Sequence, residues 1–93
     1  MTTATKGKKR VEFRVEAEPG SSVYVAGSFN AWDASSKELL DKEGSGTYKR
    51  QVYLPSGRHA YKFVINDHWT VDPSCDEWEM NEFGTLNSVR NVG

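Results

Sequence analysis

The stretch "RVEFRVEA", Arg10 to Ala17, alternates without a break. Val11, Phe13, Val15 and Ala17 fall on one side, and Arg10, Glu12, Arg14 and Glu16 on the other. Successive side chains of an extended chain point to opposite faces, so this is the signature of a strand with one face in a core and one in water. An α-helix would scatter those apolar residues around its surface. The period recurs downstream. "SVYVAG" is rich in β-branched and aromatic residues, "TYKRQVYL" puts Tyr48, Val52 and Leu54 on one face with Arg50 interrupting it as at a sheet edge, and "HAYKFVI" sets Tyr61, Phe63 and Ile65 against Ala60, Lys62 and Val64. "HWTVD" and "TLNSVRNV" read as further strands, and "KELLDK" as a weaker one.

Turn chemistry separates these segments. Pro19-Gly20 suits a type II turn, "EGSG" and "PSG" are breaker clusters, and Asn66-Asp67 tolerates the positive φ of a tight hairpin. A polar loop is expected from Ser74 to about Phe83. No segment carries an apolar stripe of helical period. About seven short strands in succession predict an all-β, immunoglobulin-like antiparallel sandwich, with Phe13, Val15, Val25, Val52, Leu54, Tyr61, Phe63 and Ile65 in its core. The chain has 93 residues, which suits one domain over residues 10–93. Residues 1–9, with Lys6, Lys8 and Lys9 and no apolar period, are expected to form a disordered basic tail.

Several function classes fall away. A net charge of -1 offers no basic surface for nucleic acid. No apolar run approaches the roughly 20 residues that span a bilayer, and no signal-peptide core follows Met1, so no membrane partner and a cytoplasmic location are expected. A single cysteine, Cys75, fits a reducing compartment. His59 and His68 lack neighbours at ligand spacing, so neither metal nor cofactor is expected. Asp72, Asp76, Glu77 and Glu79 lie close in sequence, but a glycosidase needs carboxylates flanking a cleft, and a loop cluster of acids is expected to be solvated. The chain does not read as an enzyme.

The aromatic residues point elsewhere. They make up 12% of a chain that is only 37% hydrophobic, so some rings are expected on the surface. Trp32, Trp69 and Trp78 all sit among polar neighbours. Exposed indoles normally serve a partner. The C–H face of a pyranose stacks on an indole while its hydroxyls seek Asn, Thr and Lys; a single-stranded nucleic acid stacks too, but needs a basic groove. Each ring also has a structural reading. Trp69 alternates with Val71, Trp78 could fold its loop down over the sandwich end, Lys62 could be a solvated strand residue, and Asn87 could bond loop backbone.

Three motifs in order, "VYVAGSFNAWD", "GRHAYKFVINDHWTVDP" and "FGTLNSV", resemble the glycogen-binding domain of the AMP-activated protein kinase beta subunit and the related N-terminal modules of isoamylases and glycogen branching enzymes. The likeness runs from about Val23 to Val92. It implies an early-set immunoglobulin-like sandwich that binds α-1,4-linked glucans such as glycogen, starch and maltodextrins. By the same resemblance Trp32 and Trp69 are stacking residues, Lys62, Thr85 and Asn87 contact sugar hydroxyls, and Phe83 stands where the kinase-type domain has a leucine that enters the curve of the glucan. The loop "SCDEWEMNE" is slightly longer than in the kinase domain and carries Trp78, which has no counterpart there, so the chain looks more like small stand-alone bacterial members. The alternative is a protein-interaction module that docks on a glycan-metabolising enzyme through the same exposed rings.

Overall fold

A computed structural model describes residues 7–93. Seven strands follow in chain order: β1 (Lys8–Glu16), β2 (Val23–Gly27), β3 (Thr47–Pro55), β4 (Gly57–Ile65), β5 (His68–Thr70), β6 (Trp78–Met80) and β7 (Leu86–Val92). They form two antiparallel sheets. One pairs β1 with β3, and the other runs β2-β4-β7-β6, with β5 also on β4. Strand β4 is central: Tyr61 pairs with Gly27 of β2 and with Ser88 of β7, while farther along Phe63 pairs with Val25 and with Thr70 of β5. So β5 and β7 share one edge of β4, end to end.

The alternation in β1 holds to the residue, with Val11, Phe13 and Val15 buried and Glu12, Arg14 and Glu16 exposed. These face Val23, Val25, Tyr61 and Phe63 of the larger sheet in one core. Phe13 is its centre. Its ring stacks on Phe29 at 5.5 Å, meets Tyr61 edge-on at 4.9 Å, and lies 5.7 Å below the Arg90 guanidinium. Aromatic contacts of this kind add ~0.5–1.5 kcal/mol each beyond burial. Ile65 packs on the core from its margin, only partly buried. The Pro19-Gly20 turn has Gly20 at φ 86 and the Ser21 amide bonded to the Glu18 carbonyl, the geometry of type II. Asn66 and Asp67 both take positive φ, as a two-residue hairpin requires.

Four expectations are corrected. Lys8 and Lys9 belong to β1, opposite Pro55 and Leu54, so the ordered domain begins before Arg10; residues 1–6 of the expected tail lie outside the described residues. The "KELLDK" segment is a seam, not a strand: Leu39 donates to Val23 of one sheet, and Leu40 exchanges bonds with Lys49 of the other. Leu39 is buried as a result and Leu40 is exposed. The 74–83 loop contains β6. Asp72, expected in water with the other acids, is buried.

Asp72 fills the gap between β5 and β7. Its carboxylate accepts from the Tyr61 hydroxyl at 2.7 Å, and its amide donates to Ser88 Oγ at 2.8 Å. The other carboxylate oxygen accepts from the amide and hydroxyl of Ser74. Burial, reinforced by the Asp72 carboxylate, pushes the Tyr61 hydroxyl far above the ordinary tyrosine value of 10.0. Below pH 10 that proton is held in both folded and unfolded chains, and the stabilisation is complete. Above it the unfolded chain releases a proton that the folded chain keeps, so stability must fall. Unfolding melts between about pH 9 and about pH 11 should show a decline that Tyr61→Phe flattens. An identical decline in Tyr61→Phe would show that this hydroxyl is not responsible.

Candidate carbohydrate-binding face

The even-numbered residues of β4 point away from the core, so Ala60 and Lys62 face outward on the larger sheet. The register sets Trp69 opposite Val64, and Glu79 opposite Asn87. The 27–33 loop borders this face from the β2 side, and the 81–85 turn between β6 and β7 borders it from the other. The result is an open groove of about 780 Å³. Trp32, Lys62, Trp69, Phe83, Thr85 and Asn87 all line it. Ser28, Ala60, Glu79, Met80, Asn81 and Glu82 complete the lining, and sequence reasoning singled out none of them for this role.

The loop "GSFNAWD" explains how an indole is held in a polar setting. Gly27 packs so tightly that a Cβ there would stand 2.5 Å from both the Ala60 carbonyl oxygen and the Phe29 ring, so only glycine fits. A 3-10 turn, Ser28–Asn30, follows and drops Phe29 onto Phe13 as an anchor. Asn30 is the hub. Its Oδ1 accepts from the Gly27 amide at 2.9 Å, and its Nδ2 donates to the carbonyls of Val25 and Asp33 and to Ser36 Oγ. Ala31 and Trp32 are both left-handed, at φ 57 and 59. For residues with a Cβ this costs ~1–2 kcal/mol apiece, and it persists only where the surroundings over-determine it. Asp33 closes the loop by accepting from the hydroxyl and amide of Ser35, whose hydroxyl above all holds its carboxyl below the usual aspartate value.

The rings present different amounts of surface. Trp32 is half-buried, Trp69 is 49% exposed and Phe83 is 81% exposed. Large apolar groups left open side by side mark an interaction site rather than a core. The polar side is a linked set. Lys62 Nζ donates to Thr85 Oγ1 at 3.1 Å, and Asn81 Nδ2 reaches Thr85 Oγ1 at 2.7 Å and Asn87 Oδ1 at 3.2 Å. Asn87 therefore bonds a side chain, not loop backbone. Asn81 could have been noticed in sequence: Asn three residues before Gly84, which takes φ 80, is the composition of a side-chain-stabilised turn.

Trp78 lies outside the groove lining. It pairs with Ser88, whose side chain points inward, so it projects from the opposite side of β6. Its ring is 56% exposed. The β6–β7 ladder and the Asp72–Ser74 bonds tie this loop as well. Glu77 and Glu79 are drawn to Arg58 at 3.2 Å each. Among the described residues no group of three or more His, Cys, Asp or Glu converges as a metal site, and no helix is long and apolar enough to cross a membrane. A second groove over β1 and β3 is lined by charges of both signs and no aromatic ring, so it offers no surface for stacking.

Residues 9–93 match the family described as the glycogen recognition site of AMP-activated protein kinase. The beta-1 subunit of 5'-AMP-activated protein kinase from Sus scrofa is 37% identical over 73 residues, which cover 78% of this chain and 56% of that protein. The Homo sapiens beta-1 subunit is also 37% identical, with 25% of its length covered, and the Mus musculus beta-2 subunit is 36% identical over 76 residues, 82% of this chain and 27% of that one. The chain thus spans between a quarter and just over half of these relatives. Among solved structures, the maltogenic amylase from S. marinus superposes with a TM-score of 0.72 at 18% identity, covering 94% of this chain and 14% of that enzyme, a likeness of fold.

Proposed function

This chain belongs to the glycogen-recognition family of AMP-activated protein kinase, and from that premise we propose that it binds α-1,4-linked glucan without catalysing any reaction on it. What supports the reading is one observation: Trp32, Lys62, Trp69, Phe83, Thr85 and Asn87, drawn from separate segments, line a single open groove. Glucose rings stack on Trp32 and Trp69, Lys62, Thr85 and Asn87 bond their hydroxyls, and Phe83 enters the curve of the chain. Each stack is worth ~1–3 kcal/mol, on the scale of bases on aromatic rings, and each hydrogen bond nets ~0.5–1.5 kcal/mol. Once the cost of association is subtracted, affinity is on the order of micromolar to millimolar. The single cysteine supports a reducing, cytoplasmic setting.

Maltoheptaose titration followed by tryptophan fluorescence tests the reading. Saturable quenching or enhancement supports it, and a flat titration to millimolar ligand overturns it. A second reading, docking onto a glycan-metabolising enzyme, draws on Trp78 and Leu86, which are 56% and 42% exposed outside the groove. Trp78→Ser should leave maltoheptaose affinity unchanged within about twofold, because the ring projects away from the bound chain. A larger loss would place Trp78 in the glucan site.

A further inference from the structure

We propose that Asn81 sets the hydrogen-bonding polarity of the groove, making its polar side an array of outward-facing donors that recognises a sugar through hydroxyl oxygens acting as acceptors. The inference rests on the glucan reading above. It begins with two backbone amides. The N–H groups of Phe83 and Thr85 lie 2.9 and 3.1 Å from Asn81 Oδ1. A backbone amide only donates, so the side-chain carbonyl of Asn81 must face them, and the orientation of its amide is settled by the main chain.

The remaining assignments follow in sequence. Asn81 Nδ2 then faces Thr85 Oγ1 and Asn87 Oδ1. An amide nitrogen only donates, so Asn87, which is buried, must turn its carbonyl to Asn81 and keep its NH₂ for the groove. The reverse orientation would set two donors against each other. Thr85 Oγ1 accepts from Asn81 and also from the Lys62 ammonium. A hydroxyl has two lone pairs, and both are now engaged. Its own proton is left to give away, toward the open side. Lys62, Thr85 and Asn87 therefore all present N–H or O–H to a ligand, and the Asn87 carbonyl is turned toward Asn81.

A sugar hydroxyl placed there accepts through oxygen and must send its proton elsewhere. Glu79 and Glu82, which line the same groove, are acceptors of the matching kind. Donor, hydroxyl and carboxylate in series polarise one another. A polyol satisfies this arrangement, whereas a protonated amino sugar would bring another donor to the donor wall. Asn81 need not touch the sugar; it is a positioning residue.

Asn81→Asp tests this. The variant keeps an oxygen for the Phe83 and Thr85 amides, so the turn is retained, but it loses both Nδ2 donors. Thr85 then gives its proton to the introduced carboxylate and Asn87 turns its NH₂ inward. Maltoheptaose affinity at pH 7 should fall by about tenfold. The Phe83 and Thr85 amides that donate to the introduced carboxyl hold it below the ordinary aspartate range, so acidification to about pH 3 is needed to protonate it and restore one donor, and affinity should then partly recover. Lys62, Glu79, already paired with Arg58, and Glu82 face the same groove in variant and parent alike. The quantity to follow is therefore the ratio of variant to parent affinity at each pH, with thermal melts checking that both remain folded. A ratio that rises toward one on acidification supports the inference. Equal affinity at pH 7, or a loss that ignores pH, overturns it and leaves the glucan reading standing. A parent that binds no maltoheptaose overturns both. Should the variant not fold, Asn87→Asp decides: it keeps the bond from Asn81 but replaces the outward NH₂ by an acceptor, so binding must drop by about tenfold, and full affinity refutes the donor array.

Discussion

Replacing Trp32 by alanine is expected to abolish measurable maltoheptaose binding and to leave the thermal melt within a few degrees of the parent. One lost stack of ~1–3 kcal/mol is a factor of roughly 5 to 150 in affinity. Applied to a complex that begins in the micromolar-to-millimolar range, the loss moves binding to the edge of detection. The fold is spared because the loop's anchor is Phe29, its hub is Asn30, and Trp32 contributes to neither contact. Its backbone amide bond to the Gly27 carbonyl, 2.9 Å, survives the substitution. Alanine at a φ of 59 retains the left-handed strain already present, so no new backbone cost arises. Calorimetric titration with a parallel circular-dichroism melt separates the outcomes. Normal binding would remove Trp32 from the site, and unfolding would make it structural.

The opposite profile is expected for Phe13→Ala. This ring is 1% exposed and joins the two sheets through Phe29 and Tyr61. Truncating a core phenylalanine costs ~3–5 kcal/mol. A domain of this size holds only ~5–15 kcal/mol in total, and each kcal/mol is worth roughly 4–8 °C in melting temperature. The melt should drop by tens of degrees. Glucan binding should weaken even where the variant stays folded, because Phe29 loses the surface it stacks on and the Trp32 loop loses its anchor. A melt within a few degrees of the parent would mean the two sheets are held together elsewhere.

The strands that alternate over many residues were legible because one face of each is buried: β1, β3 and β4 stand where Val11 to Val15, Tyr48 to Leu54 and Tyr61 to Phe63 put them. Of the two three-residue strands, β5 was legible as the return from the Asn66-Asp67 turn, and β6 was not. Strand β6 has three residues, two of them large and apolar but exposed at a sheet edge, so no alternation could reveal it. The seam at 37–40 bonds one sheet with one residue and the other sheet with the next, a pattern with no period. Asp72 looked like one more loop acid because nothing local says that Tyr61, 11 residues earlier, will offer it a buried hydroxyl. The six residues suggested by resemblance come together in the groove, but Asn81, Glu79 and Glu82 were passed over. Their place beside Asn87 and Thr85 appears only when β6 is paired with β7.

The placement of Trp32 bears on how this domain assembles. Strands β4 to β7 lie in one contiguous half of the chain and can meet through short closures, whereas the Trp32 loop reaches the groove only after Gly27 pairs with Tyr61, a distant partner in sequence. Closures of that span are slow and come late in folding. The groove is therefore incomplete until the N-terminal half has docked, and a glucan chain bound across Trp32 and Trp69, as proposed, would be a clasp over the join between the two halves. Ligand binding would then draw its strength from the fully assembled sandwich and return it as resistance to opening at that join.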